Sequence, residues 1–256
     1  MNTLIILVLV VLVVLFIFRE QKNRKQRSKL ISSFSTETSK QGKQSGVQDL
    51  TLRFESSKTN QKHYFIFDCE TTGLPIDRYA DESNFENWPH PVQIAWMVLD
   101  EDFGLVLNKS YILKQPVKIP KKASDIHGIT TERMNKEGVD PKSVYSEFIN
   151  DIKDTSVSIA HNTDFDVPIL KCDLLRNKFT KKVFVMKNLF CTMLSSTNIC
   201  KIKNPRGGYK WPRLDELYGF LFYKNTNISI EGAHDAMNDV FITAKCYVEL
   251  KRRNLV

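Results

Sequence analysis

Three short stretches of this chain place carboxylates and a histidine at spacings that suit cation binding and proton transfer. The first, Asp68-Cys69-Glu70-Thr71-Thr72-Gly73, follows the aromatic and β-branched run Tyr64-Phe65-Ile66-Phe67. A strand repeats every two residues, so Asp68 and Glu70 lie on the same side of the chain. Two like charges that close are costly without a cation between them; the plain alternative is a solvated strand end. The second stretch, His161-Asn162-Thr163-Asp164-Phe165-Asp166, follows the apolar run at 156–160. It stands at the carboxyl end of an expected strand, where α/β sheets gather ligands. Thr163 and Asp166 also have capping-box spacing, which would make Asp166 only a helix-start carboxylate. The third, His234-Asp235-Ala236-Met237-Asn238-Asp239, opens the last apolar-periodic segment. Positions five apart on a continuous helix are rotated by about 140°. His234 and Asp239 therefore converge only if His234 sits on the loop before the helix and Asp239 on its second turn, which Gly232 permits. A histidine acting there as a polar cap is the alternative.

These stretches need a sheet to hold them. Residues 64–67, 92–99 and 105–113 read as three successive strands, the last two joined by the acidic turn Asp100-Glu101-Asp102-Phe103-Gly104. Residues 141–152 read as a helix, 156–160 as a strand, and 164–176, 214–222 and 233–251 as helices. The last carries Ala236, Met237, Val240, Phe241, Ala244, Tyr247 and Val248 at the spacing of a helix packed on one face. Strands first and alternating units afterwards indicate an α/β fold with a mixed sheet.

With 256 residues, 42% hydrophobic and 26% charged, the chain can bury a full core, which excludes a wholly disordered, collagen-like or disulfide-stapled protein. Its five cysteines are odd in number and contain no C-x-x-C pair; they read as small buried hydrophobes in a reducing compartment. The net charge of +8 is unevenly spread: residues 19–62 hold 11 Lys+Arg against 4 Asp+Glu, and residues 63–256 net only +1. The basic character thus belongs to the stretch before the domain and is no evidence that the domain itself binds polyanions.

Residues 4–18, LIILVLVVLVVLFIF, form an unbroken apolar run that spans roughly 22 Å as a helix, short of a bilayer core of about 30 Å. Adding residues 1–3 and letting Arg19 snorkel closes most of the gap. The rival is a cleaved signal peptide, but the preceding Met-Asn-Thr carries no Lys or Arg and no A-x-A-like site follows. Residues 1–18 are therefore expected to be an uncleaved transmembrane anchor, one N-terminal membrane helix. Arg19, Lys22, Arg24, Lys25, Arg27 and Lys29 follow it, and the positive-inside rule then puts the remainder in the cytoplasm beneath the cell membrane. Residues 19–62, polar and basic without apolar period, read as a flexible linker with a reach of roughly 35 to 40 Å, and residues 63–256 as the domain.

In order, D-x-E-T-T-G at a strand end, H-N-x-x-F-D and H-x-x-x-x-D resemble the three motifs of the DEDDh (proofreading-subunit-like) family of 3′-5′ exonucleases in the RNase H-like superfamily. The resemblance covers roughly residues 63 to 251, including Ile126-His127-Gly128-Ile129-Thr130 and Trp211-Pro212-Arg213-Leu214-Asp215-Glu216-Leu217. It implies a five-stranded mixed sheet flanked by helices. It also implies that Asp68, Glu70, Asp166 and Asp239 hold two Mg²⁺ or Mn²⁺ ions and that His234 is the general base. Two divalent cations would neutralise four carboxylates, and hard oxygen donors suit such ions. They can activate a water on one side and stabilise the leaving 3′-oxygen on the other. The same likeness implies that Thr71, Thr72, Gly73, Leu74, His127, Asn162 and Phe165 touch the terminal nucleotide. For Leu74 and Phe165 the plain alternative is ordinary core, for His127 a loop-fixing hydrogen bond. The expected activity is phosphodiester hydrolysis at nucleic-acid 3′ ends, DNA before RNA; the sequence specifies no polymerase or repair partner.

Two segments stand apart. Residues 75–91, PIDRYADESNFENWPHP, lengthen the link between the first two strands and read either as a cover for the substrate groove or as an inert surface loop. Residues 201–211 form the one clear basic and aromatic patch of the domain, suited to single-stranded nucleic acid or else a plain exposed loop. His234-Asp235 also invites an HD-type phosphohydrolase reading, against which the carboxylates lie on strand ends rather than packed helices. A membrane-tethered nucleic-acid-binding or scaffold protein without turnover is the non-enzymatic alternative; the presence of all four carboxylates and the histidine argues against it.

Overall fold

The computed structural model describes residues 54–230 and 232–256. The anchor expected over 1–18 and most of the linker lie outside them; among the described residues no helix is long and apolar enough to cross a membrane. Glu55 to Ser57, within the stretch read as linker, lie beside the start of the third strand: the Leu105 N–H donates to the Glu55 carbonyl and the Ser57 N–H to the Leu105 carbonyl.

Five strands, β1 (Tyr64–Thr71), β2 (Pro91–Leu99), β3 (Leu105–Ile112), β4 (Val157–Ala160) and β5 (Phe190–Cys191), form one sheet in the order β3-β2-β1-β4-β5. The β1–β2 and β2–β3 pairs are antiparallel, and β1–β4 and β4–β5 are parallel. The mixed sheet and its antiparallel start match the sequence expectation. Helices α1 (Lys121–His127), α2 (Thr131–Glu137) and α3 (Pro141–Ile152) follow β3. After β4 come α4 (Thr163–Arg176), α5 (Thr192–Cys200), α6 (Leu214–Tyr223) and α7 (Ala236–Arg252).

Alternation along β1 divides the core and aims the site. Phe65, Phe67 and Cys69 enter the cluster that includes Tyr145 and Phe148 of α3 and Ile169 and Leu170 of α4, and the Phe65 and Phe67 rings meet Phe148 edge-on. Tyr64 turns the other way, toward Tyr247 of α7, and so do Asp68 and Glu70 by the period of two. β2 is buried along its whole length, as a strand covered on both faces must be. The face predicted for α7 is buried, and Ile242, Cys246 and Leu250 on its other side pack under Cys200 of α5 and Leu217 and Leu221 of α6. All five cysteines are free and buried.

Candidate active site

The end of β1 brings the carboxylates in. Asp68 and Glu70 pair opposite Ala95 and Gln93 of β2, and a register irregularity at Glu70/Thr71 ends the regular ladder beyond them. Cys69, between them, faces the α3/α4 side, where its Sγ donates to Asp166 Oδ1 at 3.2 Å. Asp166 is in the first turn of α4. The capping-box alternative is not realised: α4 begins at Thr163 with Asn162 as its N-cap, and no side chain caps the helix. Asn162 has a left-handed backbone, φ 79°, and its Oδ1 is buried without a hydrogen-bond partner.

His234 lies on the loop before α7, as convergence requires, with a left-handed φ of 67°, two residues after Gly232 at φ 76°. Asp239 is in the first turn of α7 rather than the second, because the helix starts at Ala236, three residues later than the apolar period suggests. The left-handed turn compensates, and the His234 backbone N–H donates to Asp239 Oδ2 at 3.3 Å. One ligand atom each from Glu70, His234 and Asp239 lie within 4.8 Å of one another.

Crowding is visible in the acidity of the four carboxyls. Burial, then the charges of Asp166, Asp239, Glu70 and Asp235, pushes Asp68 well above the carboxylate range. Burial and the neighbouring acids raise Glu70 to about 8. Asp239 is raised to about 7 by burial, against the hydrogen bond from His234 and with the charges of Asp235 and Asp215 adding to the rise. Asp166 is likewise raised to about 7 by burial, which outweighs its hydrogen bonds from Cys69. Buried and half-buried carboxyls that repel one another in this way fit a hard divalent cation, which replaces mutual repulsion by attraction.

The residues expected to meet the terminal nucleotide lie in different surroundings. Thr71 is buried and its hydroxyl donates to the Gly73 carbonyl at 2.7 Å. Thr72 Oγ1 accepts from the His90 N–H at 3.0 Å. Leu74 is 81% exposed and is therefore not core, whereas Phe165 packs partly buried against the α3/α4 cluster. His127 ends α1 rather than lying on a loop, and Gly128 caps that helix in the left-handed region. The Ile129 N–H donates to His127 Nδ1, so Nε2 carries the proton and donates to the Thr71 carbonyl at 3.2 Å. Burial lowers the pKa of His127 below the ordinary histidine value, which keeps that neutral tautomer. His161 is likewise held neutral: burial pushes it down to about 4. Its Nε2 donates to the Pro212 carbonyl at 3.1 Å and its Nδ1 meets the Thr192 hydroxyl at 2.9 Å. It stitches the end of β4 to the segment before α6.

Sequence reasoning missed Gln93. Its Nε2 donates to Asp235 Oδ2 at 3.0 Å and its Oε1 accepts from the Ala236 N–H at 3.2 Å. Asp235 in turn caps α7 by accepting from the Met237 and Asn238 N–H groups. Gln93 sits opposite Glu70 on the neighbouring strand, so a single amide fixes the start of α7 against the acidic pair. The available signal was a polar side chain inside the apolar run of β2, since a buried amide needs partners. Cys69, likewise read only as a buried hydrophobe, holds Asp166.

The family model described as Exonuclease, RNase_T, matches residues 65–247. A PolC-type DNA polymerase III from Clostridium perfringens is 28% identical over 186 residues, which are 71% of this chain and 11% of the polymerase. Among solved structures, exonuclease I of E. coli in complex with a dT13 oligonucleotide superposes with a TM-score of 0.59 at 18% identity, over 76% of this chain and 42% of that one. Exonuclease I from Methylocaldum szegediense gives 0.56 at 20%, over 74% and 40%. The chain thus spans less than half the length of each of these proteins, and the structural likeness shows the fold.

Proposed function

The chain belongs to the RNase_T exonuclease family, and from that premise we propose that it is a 3′-5′ exonuclease that hydrolyses the terminal phosphodiester bond of nucleic acid, DNA in preference to RNA. The observation that carries this reading is the convergence of Glu70, His234 and Asp239 within ligand distance, beside Asp68 and Asp166 whose carboxyls feel the same cluster of charge. Asp68, Glu70, Asp166 and Asp239 would hold two divalent cations. Bound there, such ions would acidify the attacking water and neutralise charge on the phosphate.

The remaining work falls to the chain's own residues. An imidazole nitrogen of His234 accepts the proton of the attacking water as the general base. The left-handed turn and the bond to Asp239 hold it at the mouth of the cluster. Thr71 to Leu74 carry the terminal nucleotide, with the Leu74 side chain projecting outward as a wedge against a base. The proton on His127 Nε2 fixes the Thr71 carbonyl and with it the direction of that segment. Asn162 Oδ1, buried and without a partner, is an acceptor at the start of the helix that carries Asp166. The oligonucleotides dT13 and dA16 held by E. coli exonuclease I support DNA as the substrate, and the PolC-type relative supports a link to a polymerase.

A 5′-labelled single strand, incubated with Mg²⁺, with EDTA, and with the Asp68→Ala variant in Mg²⁺, tests the reading. A ladder of progressively shorter labelled products in the first tube alone is expected. Immediate release of labelled mononucleotide, or equal shortening in EDTA, would contradict it.

A further inference from the structure

Residues 75–91 and 201–211, which the hydrolytic chemistry leaves unused, meet through Arg78 and Trp211. The first segment is anchored. Asp77 and Asn87 exchange two hydrogen bonds at 2.7 and 2.8 Å. Trp88 is buried and donates to the Asp81 carbonyl. The Arg176 guanidinium, on α4, binds the carbonyls of Phe85, Trp88 and Pro89. A segment held this firmly still turns Tyr79 outward, 86% exposed. The second segment is a tight loop, closed by hydrogen bonds from the Asn204 N–H to the Gly208 carbonyl and from the Lys210 N–H to the Ile202 carbonyl. Its Trp211 is 51% exposed.

Arg78 joins the two. Its guanidinium lies 5.7 Å from the centre of the Trp211 ring and 5.8 Å from that of Tyr79. One end of this array, Tyr79, is five residues beyond Leu74, on the segment that follows β1. The other end is next to Pro212, whose carbonyl is held by His161 at the end of β4. The array therefore joins the segment that follows β1 to the segment that precedes α6.

We propose that Tyr79, Arg78 and Trp211 form a second nucleic-acid-binding site, a stacking clamp for unpaired nucleotides upstream of the 3′-terminal one. Aromatic faces interleaved with cations are the footprint of single-stranded nucleic acid: rings stack on bases of any sequence while cations follow the phosphates. Lys201, Lys203 and Arg206, all exposed on the same loop, supply further charge. A duplex hides the faces of its internal bases, so the clamp selects single strands. The inference rests on the exonuclease reading for its direction, with the 3′ end at the carboxylates, and adds to it a site and a strand preference.

The test uses the full chain and a fluorescein-labelled dT12 strand, with binding followed by anisotropy in EDTA, where cation-dependent hydrolysis is suppressed. A stacked base is worth roughly a 5- to 150-fold change in affinity. Arg78→Ala and Trp211→Ala are each expected to weaken dT12 binding at least about fivefold, Trp211→Phe much less, and a blunt hairpin of equal length is expected to bind poorly. In Mg²⁺, the ratio of kcat/KM for dT12 to that for dT2 is expected to fall in both alanine variants. Wild type binding dT12 no better than the hairpin, or both alanine variants binding dT12 within twofold of wild type, overturns the clamp even if hydrolysis is normal. Trp211-dependent binding without any shortening of the strand in Mg²⁺ overturns the exonuclease reading and leaves the clamp standing.

Discussion

Without divalent cations the four carboxylates of this site stand against one another, and pH tunes the cost. Burial and mutual repulsion hold Glu70 at about 8 and Asp166 and Asp239 at about 7 each, with Asp68 also well above the ordinary range. Below about pH 4 these groups are protonated in both the folded and the unfolded chain, and no penalty exists. Between about pH 4 and 8 the unfolded chain releases its protons first while the folded chain retains them. Stability therefore falls through this window, and the loss is complete above it. One carboxyl raised from near 4 to near 7 accounts for about 4 kcal/mol; because the groups share one another's charge, four of them contribute less than four times that. A folded unit of about 200 residues shifts its Tm by about 2–4 °C per kcal/mol. Followed by scanning calorimetry in EDTA, the chain is expected to melt at least about 8 °C lower at pH 8 than at pH 5. Mg²⁺ or Mn²⁺ should remove most of that difference, and Asp68→Asn should flatten the profile in EDTA. A melting temperature in EDTA that is level or rises from pH 5 to 8 would refute the reasoning.

Gln93→Ala removes the amide that pins α7 to β2 and leaves the Ala236 N–H without its acceptor. It is expected to cost about 1–3 kcal/mol of stability in urea and to lower kcat/KM more than tenfold; retained activity in a folded variant contradicts the positioning role. Arg176→Ala strips the 75–91 segment of its three carbonyl contacts and removes a cation from the buried Asp173 carboxylate. A loss of about 3–5 kcal/mol and new proteolytic cleavage within 75–91 are expected; an unchanged urea midpoint with no new cleavage contradicts this. The anchoring proposed for residues 1–18 is tested by fractionation. The full-length chain should sediment with membranes and keep its N-terminus; recovery in the soluble fraction, or a cleaved N-terminus, contradicts it.

The elements legible in the sequence are those with a strong period and a clear boundary. Residues 141–152 are helical from end to end, opened by Asp140, whose carboxylate caps the Ser143 N–H, and Pro141 at the first position. What escaped is short. The helices at 121–127 and 131–137 bury only two residues and one respectively, too few to write an apolar period. The strand at 190–191 has two residues, and the helix at 192–200 carries Ser, Thr and Asn among its apolar positions. The approach of Glu70, His234 and Asp239 was readable because each sits near the end of an element, where spacing alone limits where a side chain can go. The one-turn error at Asp239 came from a helix that starts late, after a left-handed residue that carries no sequence mark beyond Gly232. Gln93 and Cys69 were hidden for a different reason: their roles exist only across strands and helices distant in sequence.

The most direct measurement is anomalous diffraction from crystals soaked in Mn²⁺. The account expects anomalous density bounded by Asp68, Glu70, Asp166 and Asp239, and its loss in Asp68→Asn. Manganese bound elsewhere, or not at all, at concentrations that support strand shortening would contradict it.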